Sequence, residues 1–304
     1  MKDTVLKMQE VTKAYKGVKA LDDVSITIER GEIYGLVGNN GAGKTTLMRL
    51  IAGQSRMDSG RIELFGKTDN AGMGKERSRI GTLIEDPGFF GNMNAGQNLE
   101  YFRIQFGIPG KETVAEALKE VGLEDCGKKR YKDFSLGMKQ RLGIALALLQ
   151  TPEFLILDEP INGLDPAGII EIRQILLSLN KKKNTTILIS SHILAEMANI
   201  ANKYGFLSHG KLLEEIKADA LMKKCNSYLD ITVKDVEAMC VLLEKEFNYQ
   251  DYKVYPDHHI HLFEGIDNGE NLCEIAACHH VGLSGLEKRV VNLENYYMNM
   301  VEVG

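Results

Sequence analysis

Short runs of apolar residues alternate with longer segments of helical periodicity along the first two thirds of the chain. The runs Ile33–Val37, Phe154–Leu157 and Thr186–Ser190 are almost entirely apolar or β-branched, which is typical of strands buried on both faces. Strands that alternate with helical patterns favour a largely parallel sheet covered by helices. We therefore predict an α/β domain over residues 1–215, with these three runs as central strands.

A helical block lies between the first two of these strands. Its apolar residues recur at helical spacing, namely at Leu99, Phe102, Phe106, Val114, Ala117, Leu118 and Val121. The spacing predicts a separate, mostly helical lobe at about residues 86–150.

The pattern changes near residues 216–226, which we interpret as a linker. Beyond it, residues 227–304 alternate strand and helix in the order βαββαβ, which is that of a small ferredoxin-like α+β module. We expect its strands at Tyr228–Val233, Tyr252–Tyr255, His258–Phe263 and Leu286–Val290. An apolar stripe after Asn292 predicts one final helix. The stripe consists of Leu293, Tyr296, Tyr297, Met300 and Val301.

Composition and charge exclude several classes of function. The 37 lysines and arginines against 42 aspartates and glutamates leave no basic surplus, so we expect no nucleic-acid partner. Five cysteines without CxxC spacing indicate neither a zinc ribbon nor a disulfide framework, and they favour a reducing compartment. The longest apolar runs fall short of the ~18 residues that span a bilayer, and we expect a cytoplasmic chain.

A glycine-rich segment follows the first predicted central strand. Residues 38–45 read GNNGAGKT and match GxxxxGK[ST] between an apolar strand and a helical pattern. Glycines let backbone N–H groups turn toward phosphate oxygens, and the helix N-terminus adds a favourable dipole. Lys44 would neutralise the terminal phosphates, and the Thr45 hydroxyl would hold Mg²⁺. The predicted phosphate site comprises Gly38, Asn39, Asn40, Gly41, Ala42, Gly43, Lys44, Thr45 and Thr46.

Two carboxylates follow the second predicted central strand. Asp158 and Glu159 come directly after it, at the strand end where open α/β sheets bind their ligands. Asp158 is suited to hold Mg²⁺ through its water shell. Glu159 is suited to orient or deprotonate the water that attacks a γ-phosphate.

A family resemblance appears in the segment between these motifs. Residues 134–141 read FSLGMKQR and open a helix. This run resembles the signature motif of ATP-binding cassette (ABC) ATPases in the divergent form SLGM, and motif order and spacing agree with that family over residues 1–215. The resemblance implies a P-loop NTPase domain that hydrolyses ATP with Mg²⁺. It also implies that Ser135 and Gly137 contact ATP bound to a second copy, in a homodimer or a heterodimer with another ABC ATPase.

Further family positions follow from their spacing to these motifs. By resemblance, Tyr15 would stack on adenine, Asp165 within NGLDP would contact the dimer partner, and His192 would be the switch histidine. An imidazole at His192 can hydrogen-bond the γ-phosphate and report its loss after hydrolysis.

One residue departs from the family pattern. Where the family carries a glutamine between the nucleotide core and the helical lobe, this chain has Glu85 within LIEDPGFF. A carboxylate adds negative charge near the γ-phosphate, although Mg²⁺ accepts carboxylate ligands readily. We expect Glu85 to serve as a catalytic and Mg²⁺-binding residue. Glu85 and SLGMKQR together resemble the bacitracin and lantibiotic export and immunity ATPases, with drift on a loop as the alternative.

A separate integral membrane permease is the partner that the resemblance implies. The chain would lie at the cytoplasmic face of the membrane and drive an exporter of a peptide antibiotic or another amphiphilic compound. Phe89, Phe90 and Met93 either line a groove that receives the permease or pack inside the lobe. The alternative function is a soluble ATP-driven switch or nucleotide sensor that is not coupled to transport.

Overall fold

The computed structural model describes residues 3–68, 70–225, 227–289, 296–298 and 300. The chain divides into two compact units, Met1–Ala218 and Asp219–Gly304. Each unit has its own cluster of buried apolar side chains.

Strands and helices alternate through most of the first unit. Its strands are β1 (Thr4–Tyr15), β2 (Val18–Glu29), β3 (Ile33–Val37), β4 (Ser59–Leu64), β5 (Ile80–Leu83), β6 (Phe154–Leu157), β7 (Thr186–Ser191), β8 (Lys203–Ser208) and β9 (Lys211–Lys217). Its helices are α1 (Lys44–Ala52), α2 (Asn70–Arg77), α3 (Ala95–Gln105), α4 (Glu112–Glu120), α5 (Leu136–Leu148), α6 (Pro166–Lys183) and α7 (Leu194–Met197). The next helix, α8 (Ala218–Lys224), begins at the last residue of this unit and otherwise belongs to the second unit.

A six-stranded sheet in the order β5-β6-β7-β3-β8-β9 is the larger sheet of this unit. Neighbouring strands are parallel, except that β8 and β9 are antiparallel. Every residue of β3, β6 and β7 is buried, so the predicted central strands are confirmed. Because these three adjacent strands are parallel, the loops that follow them leave the same edge of the sheet. Those loops carry the predicted phosphate loop, Asp158, Glu159, Asp165 and His192.

A second, antiparallel sheet in the order β2-β1-β4 departs from the predicted parallel arrangement. Lys16 and Gly17 form a two-residue connection between β1 and β2, with φ values of 48° and 85°. Positive φ at both positions suits the tight turns that match the twist of a hairpin. The hairpin therefore forms through local turn geometry, although its strands are long and only partly alternating.

The predicted helical region contains α3, α4 and α5. Asn94 begins α3 with a capping box, in which its side chain accepts from the Gln97 N–H and the Gln97 side chain accepts from the Asn94 N–H. The two phenylalanines before this helix differ in exposure. Phe89 is buried and its ring centroid lies 5.6 Å from that of Phe102, whereas Phe90 is exposed beside Tyr101. Of these two phenylalanines, Phe89 packs inside the lobe, and Phe90 does not.

The second unit contains an antiparallel sheet in the order β11-β12-β10-β13. Its elements are β10 (Tyr228–Val233), α9 (Val236–Glu246), β11 (Tyr252–Tyr255), β12 (His259–Leu262), α10 (Gly269–Cys278) and β13 (Leu283–Arg289). The predicted βαββαβ order is confirmed. The predicted final helix falls partly outside the described residues, which omit Asn292, Leu293 and Val301.

The two faces of this sheet differ in polarity. Ile231 and Ile260 point into the core of the unit, whereas Asp230, His259 and His261 lie on the opposite face. His259 Nδ1 donates to Asp230 Oδ1 at 2.8 Å. Partial burial lowers the pKa of His261 below its usual value.

The division between the two units, at Ala218 and Asp219, falls inside the segment predicted as a linker. Residues 216–225 of that segment are regular structure, because they contain the end of β9 and the whole of α8, and Leu221 of that helix is buried. A buried apolar side chain anchors this segment as regular structure. Within the part of the chain that the structure describes, no helix combines the length and apolar character needed to cross a bilayer.

Candidate nucleotide site

The phosphate loop joins β3 to α1 at the carboxyl edge of the six-stranded sheet. Gly43 immediately precedes α1 with a φ of 111°, and a Cβ there would lie 2.4 Å from the Ala20 carbonyl oxygen. Only glycine fits this conformation and this close approach. No side chain of the described residues caps α1, so the N–H groups of its first turn remain available to an anion.

Lys44 is buried within this loop although it is a lysine. Its Nζ donates to the carbonyl oxygens of Gly38 at 2.6 Å and Asn39 at 3.2 Å. Nζ also lies 3.1 Å from Glu159 Oε1. A cavity of about 200 Å³ opens here, lined by Ala20, Asn39, Asn40, Gly41, Ala42, Gly43, Lys44, Thr45, Thr46 and Glu159. The predicted phosphate loop and Glu159 therefore share one cavity, with an ammonium group at its base.

Asp158 is held by hydroxyl groups from two other segments. Thr45 Oγ1 donates to Asp158 Oδ2 at 2.6 Å, and Ser190 Oγ donates to Asp158 Oδ1 at 2.6 Å. A hydroxyl oxygen and a carboxylate oxygen in direct contact form the hard oxygen set that Mg²⁺ prefers. The residues present therefore fit Mg²⁺ at Thr45 and Asp158.

Glu159 lies at the end of β6 in a left-handed conformation, with a φ of 48°. Its N–H donates to Ser190 Oγ at 2.8 Å, and His192 Nδ1 donates to Glu159 Oε2 at 2.8 Å. Left-handed backbone at a residue other than glycine is uncommon, and its strain is often stored at functional sites. The carboxylate is thus held between Lys44 and His192.

Glu196 is a site residue that the sequence analysis missed. It lies on α7, close enough to His192 and Glu159 to interact electrostatically with both. Burial raises the pKa of Glu196 above its usual value, and the negative charge of Glu159 adds to this effect, whereas His192 opposes it. The sequence analysis also missed the role of Ser190, which it predicted only as the last residue of a central strand. The only sequence signals were a polar residue at the end of an apolar strand and an acidic residue four positions after His192.

Glu85 does not contact Thr45 or Asp158 directly. Its carboxylate forms an ion pair with Arg49 of α1, and its backbone is left-handed with a φ of 68°. Glu85 and Asp158 nevertheless line the same cavity of about 280 Å³, together with Leu83, Asp86, Pro87, Tyr131, Leu136, Lys139, Gln140 and Gly143. This position places Glu85 beside the candidate metal residues, with a cationic partner that the sequence did not reveal.

Comparison with known proteins identifies the family. Residues 21–162 match the family described as ABC transporter. The chain is 40% identical to the bacitracin transport ATP-binding protein BcrA of Bacillus licheniformis, over 99% of this chain and 98% of that protein. The chain belongs to the ABC transporter family.

Two further similarities extend this assignment. The lantibiotic transport ATP-binding protein SrtF of Streptococcus pyogenes is 41% identical over 71% of this chain and 92% of that protein. A solved dimer of the ATP-binding cassette MJ0796, bound to ADP and Pi, covers 70% of this chain and 98% of its own, with 25% identity and a TM-score of 0.63. The first unit is therefore a P-loop NTPase cassette, and the protein is an ATP-binding ABC ATPase.

The remaining predicted residues of this ABC ATPase lie outside the lining of the phosphate-loop cavity. Ser135 accepts from the Met138 N–H and caps α5, while Asp165 accepts from the Gly168 N–H and caps α6. Gly137 and the Asp165 loop adjoin each other, since a Cβ on Gly137 would lie 3.9 Å from Leu164. The structure thus gathers the signature segment and the NGLDP loop into one exposed surface.

Tyr15 lies at the end of β1 and is about half exposed. Its hydroxyl is 3.2 Å from Ser55 Oγ, and Lys13 Nζ lies 5.2 Å from the centre of its ring. An exposed aromatic ring of this kind can stack on a planar ligand.

Proposed function

We propose that this ABC ATPase subunit drives a separate integral membrane permease that exports a peptide antibiotic or another amphiphilic compound. The similarity to BcrA supports the proposal because it extends over both units of the chain rather than the cassette alone. The second named relative, SrtF, acts in lantibiotic transport. In this arrangement the chain lies peripherally at the cytoplasmic face of the membrane, where it contributes to antibiotic resistance.

Glu159 is the catalytic base in the proposed reaction. Its carboxylate lies between the Lys44 ammonium and the His192 imidazole, at the mouth of the phosphate-loop cavity. A carboxylate in this position accepts a proton from the water that attacks the γ-phosphate. Lys44 stabilises the negative charge of the terminal phosphates, and His192 senses whether the γ-phosphate is present.

Thr45 and Asp158 would hold Mg²⁺. When bound, Mg²⁺ neutralises phosphate charge and orients the terminal phosphates. Two hydrogen bonds hold the Asp158 carboxylate in this position. Thr45 Oγ1 donates to Oδ2, and Ser190 Oγ donates to Oδ1. Glu85 lies beside the same position in the neighbouring cavity.

A second cassette completes the nucleotide site in this proposal. Ser135, Gly137 and Asp165 lie outside the cavity of their own chain but on one exposed surface. An exposed helix N-terminus with a small residue at its start suits contact with a phosphate held by another chain. The solved MJ0796 cassette is a dimer. The partner is a second copy of this chain or a different ABC ATPase, and Tyr15 stacks on the adenine.

A groove of about 390 Å³ is the candidate docking surface for the permease. It is lined by the ends of α1 and α5, by α2 and β5, and by Phe106. Large apolar side chains are exposed along α3 and just after it, at Tyr101, Ile104 and Phe106. Exposed aromatic residues around a groove are typical of protein docking surfaces.

The proposal is tested by purifying tagged protein from its native membranes in mild detergent. Bound proteins are identified by mass spectrometry, and phosphate release is measured on the complex. A stoichiometric polytopic membrane protein is expected, and replacing Phe106 and Ile104 by serine should release it. Val18→Ser, at an exposed residue of β2, is the matched control.

Capture of soluble proteins alone would contradict the exporter. ATP hydrolysis without any membrane partner would then favour a soluble ATP-driven switch. ATP binding without phosphate release would favour a nucleotide sensor.

A further inference from the structure

The ion pair between Arg49 and Glu85 links the first helix of the cassette to the loop after β5. Arg49 belongs to α1, which begins at the phosphate loop, and its guanidinium donates to the Glu85 carboxylate. Both side chains retain solvent access, with exposed fractions of 35% for Arg49 and 63% for Glu85. Exposed ion pairs contribute little to folding stability. We therefore expect the Arg49–Glu85 pair to affect the nucleotide site rather than the stability of the fold.

The charges around the pair are unbalanced. Glu85, Asp86 and Asp158 line one cavity, in which Lys139 is the other charged residue. The neighbouring phosphate-loop cavity contains Glu159, and the buried Lys44 is already paired with it. A bound triphosphate adds further negative charge to the same region. An unpaired carboxylate at Glu85 would therefore repel the ligand.

The backbone of Glu85 gives a second, independent observation. Its left-handed conformation is strained for a residue with a side chain. Such a conformation persists only where other contacts hold it. Arg49 makes the side-chain contact to Glu85, and its rigid, permanently charged guanidinium suits a carboxylate.

We propose that Arg49 is a positioning residue that neutralises Glu85, so that the pair presents no net charge to the terminal phosphate of bound ATP. The inference deepens the proposed nucleotide site and rests on it. It assigns to Arg49 a role in selecting nucleoside triphosphate over diphosphate, because the charge of a terminal phosphate would come beside the candidate Mg²⁺ residue Asp158, which shares a cavity with Glu85.

A double-mutant cycle tests the pair. R49M, E85Q and R49M/E85Q are compared with the unchanged chain by titration calorimetry, using the non-hydrolysable ATP analogue AMP-PNP and ADP, each with Mg²⁺. We expect R49M to weaken AMP-PNP binding about 5-fold and ADP binding less than about 2-fold. R49M/E85Q should bind AMP-PNP more tightly than R49M does, because the unpaired charge is gone.

The salt dependence of AMP-PNP binding distinguishes an electrostatic role of Arg49 from a purely structural one, because salt screens charges but does not restore lost packing. In 1 M NaCl the screening length falls to about 3 Å, so the R49M defect in AMP-PNP binding should shrink toward the unchanged chain. The ion pair between Lys183 and Glu120, at 2.6 Å with exposed fractions of 49% and 31%, is the matched control. K183M, E120Q and their combination should leave AMP-PNP binding within about 2-fold.

The results distinguish a wrong role for Arg49 from a wrong assignment of the nucleotide site. An R49M defect that E85Q does not restore, or that is equal for ADP and AMP-PNP, overturns the neutralising role of Arg49. If the unchanged chain binds neither nucleotide, the nucleotide site itself fails and the inference fails with it.

Discussion

Ser190 shows how one small residue organises the candidate site. Its hydroxyl donates to Asp158 Oδ1 and accepts from the Glu159 N–H, so it joins the two consecutive carboxylate residues. Ser190 itself is fully buried at the end of β7. Removing the hydroxyl would leave both partners without that hydrogen bond in a region that water reaches poorly.

Ser190→Ala should lower the free energy of unfolding by about 1–3 kcal/mol, the usual cost of leaving a buried polar group unpaired. It should also lower kcat for ATP hydrolysis more than it raises KM, because Asp158 and Glu159 lose their alignment. Chemical denaturation and phosphate release measure the two effects. Ser191→Ala is the control for the contacts to Asp158 and Glu159, since Ser191 Oγ bonds to Ile193 and to the Glu196 carboxyl instead. Equal kcat values in the two variants would contradict the role of Ser190.

Glu159→Gln should remove the base while preserving the shape of the side chain. We expect kcat to fall by about 100-fold or more, since general-base catalysis contributes about 10²–10⁴-fold. ATP binding should persist, and the ATP-bound dimer should accumulate in size-exclusion chromatography. Glu171→Gln, on α6 near Arg141, is the control carboxylate and should retain turnover. Unchanged hydrolysis in Glu159→Gln would refute its assignment as the base.

A cluster of charged side chains links several elements of the cassette at the amino edge of the six-stranded sheet. Glu153, just before β6, accepts from Arg79, just before β5, and from Arg30, just after β2. The two guanidinium groups lower the pKa of Glu153 to about 2. One carboxylate thus joins strands of both sheets.

The pH dependence of this cluster follows from the depressed pKa. A carboxyl whose folded pKa lies below its unfolded value of about 4.3 stabilises the fold above that value. The contribution is lost as the pH falls from about 5 toward about 2. Glu153→Gln should therefore lower Tm most at pH 7, and the difference in Tm from the unchanged protein should narrow as the pH falls from about 5 toward about 2. Glu116→Gln, at an exposed position of α4, should show no such narrowing. A constant difference across this pH range would exclude the ion pairs as its cause.

The whole molecule consists of two units with separate cores. Leu207 and Leu47 belong to the core of the first unit, whereas Leu243, Ile231 and Ile260 belong to that of the second. Separate cores allow the units to unfold as separate cooperative blocks.

Leu243→Ala should destabilise the second unit by about 2–5 kcal/mol, because it leaves a cavity at a fully buried position. ATP hydrolysis by the first unit should stay within about 2-fold. Hydrogen exchange across both units measures the effect, and we expect lost protection only in the second. Val241→Ala, an exposed position on the same helix, is the control. Lost protection in both units would show that they unfold together.

The sequence by itself determined the central strands, the phosphate loop, Asp158 and Glu159, and the βαββαβ order of the second unit. Each of these is a local pattern, in which neighbouring residues carry the signal. Buried parallel strands read as continuous apolar runs, and a glycine-rich turn before a helix reads as a phosphate site. Residues 216–225 lacked such a pattern, and the strand and helix that they form were not predicted.

Tertiary structure alone decided the contacts between distant segments. Arg49 and Glu85 are 36 positions apart, and Ser190 and Asp158 are 32 positions apart. Periodicity within one segment carries no information about which side chain of another segment lies opposite. The antiparallel β2-β1-β4 sheet, the burial of Phe89 and the raised pKa of Glu196 depend on such pairings. These features arise because folding fixes the distance between groups, and distance sets the strength of hydrogen bonds and ion pairs.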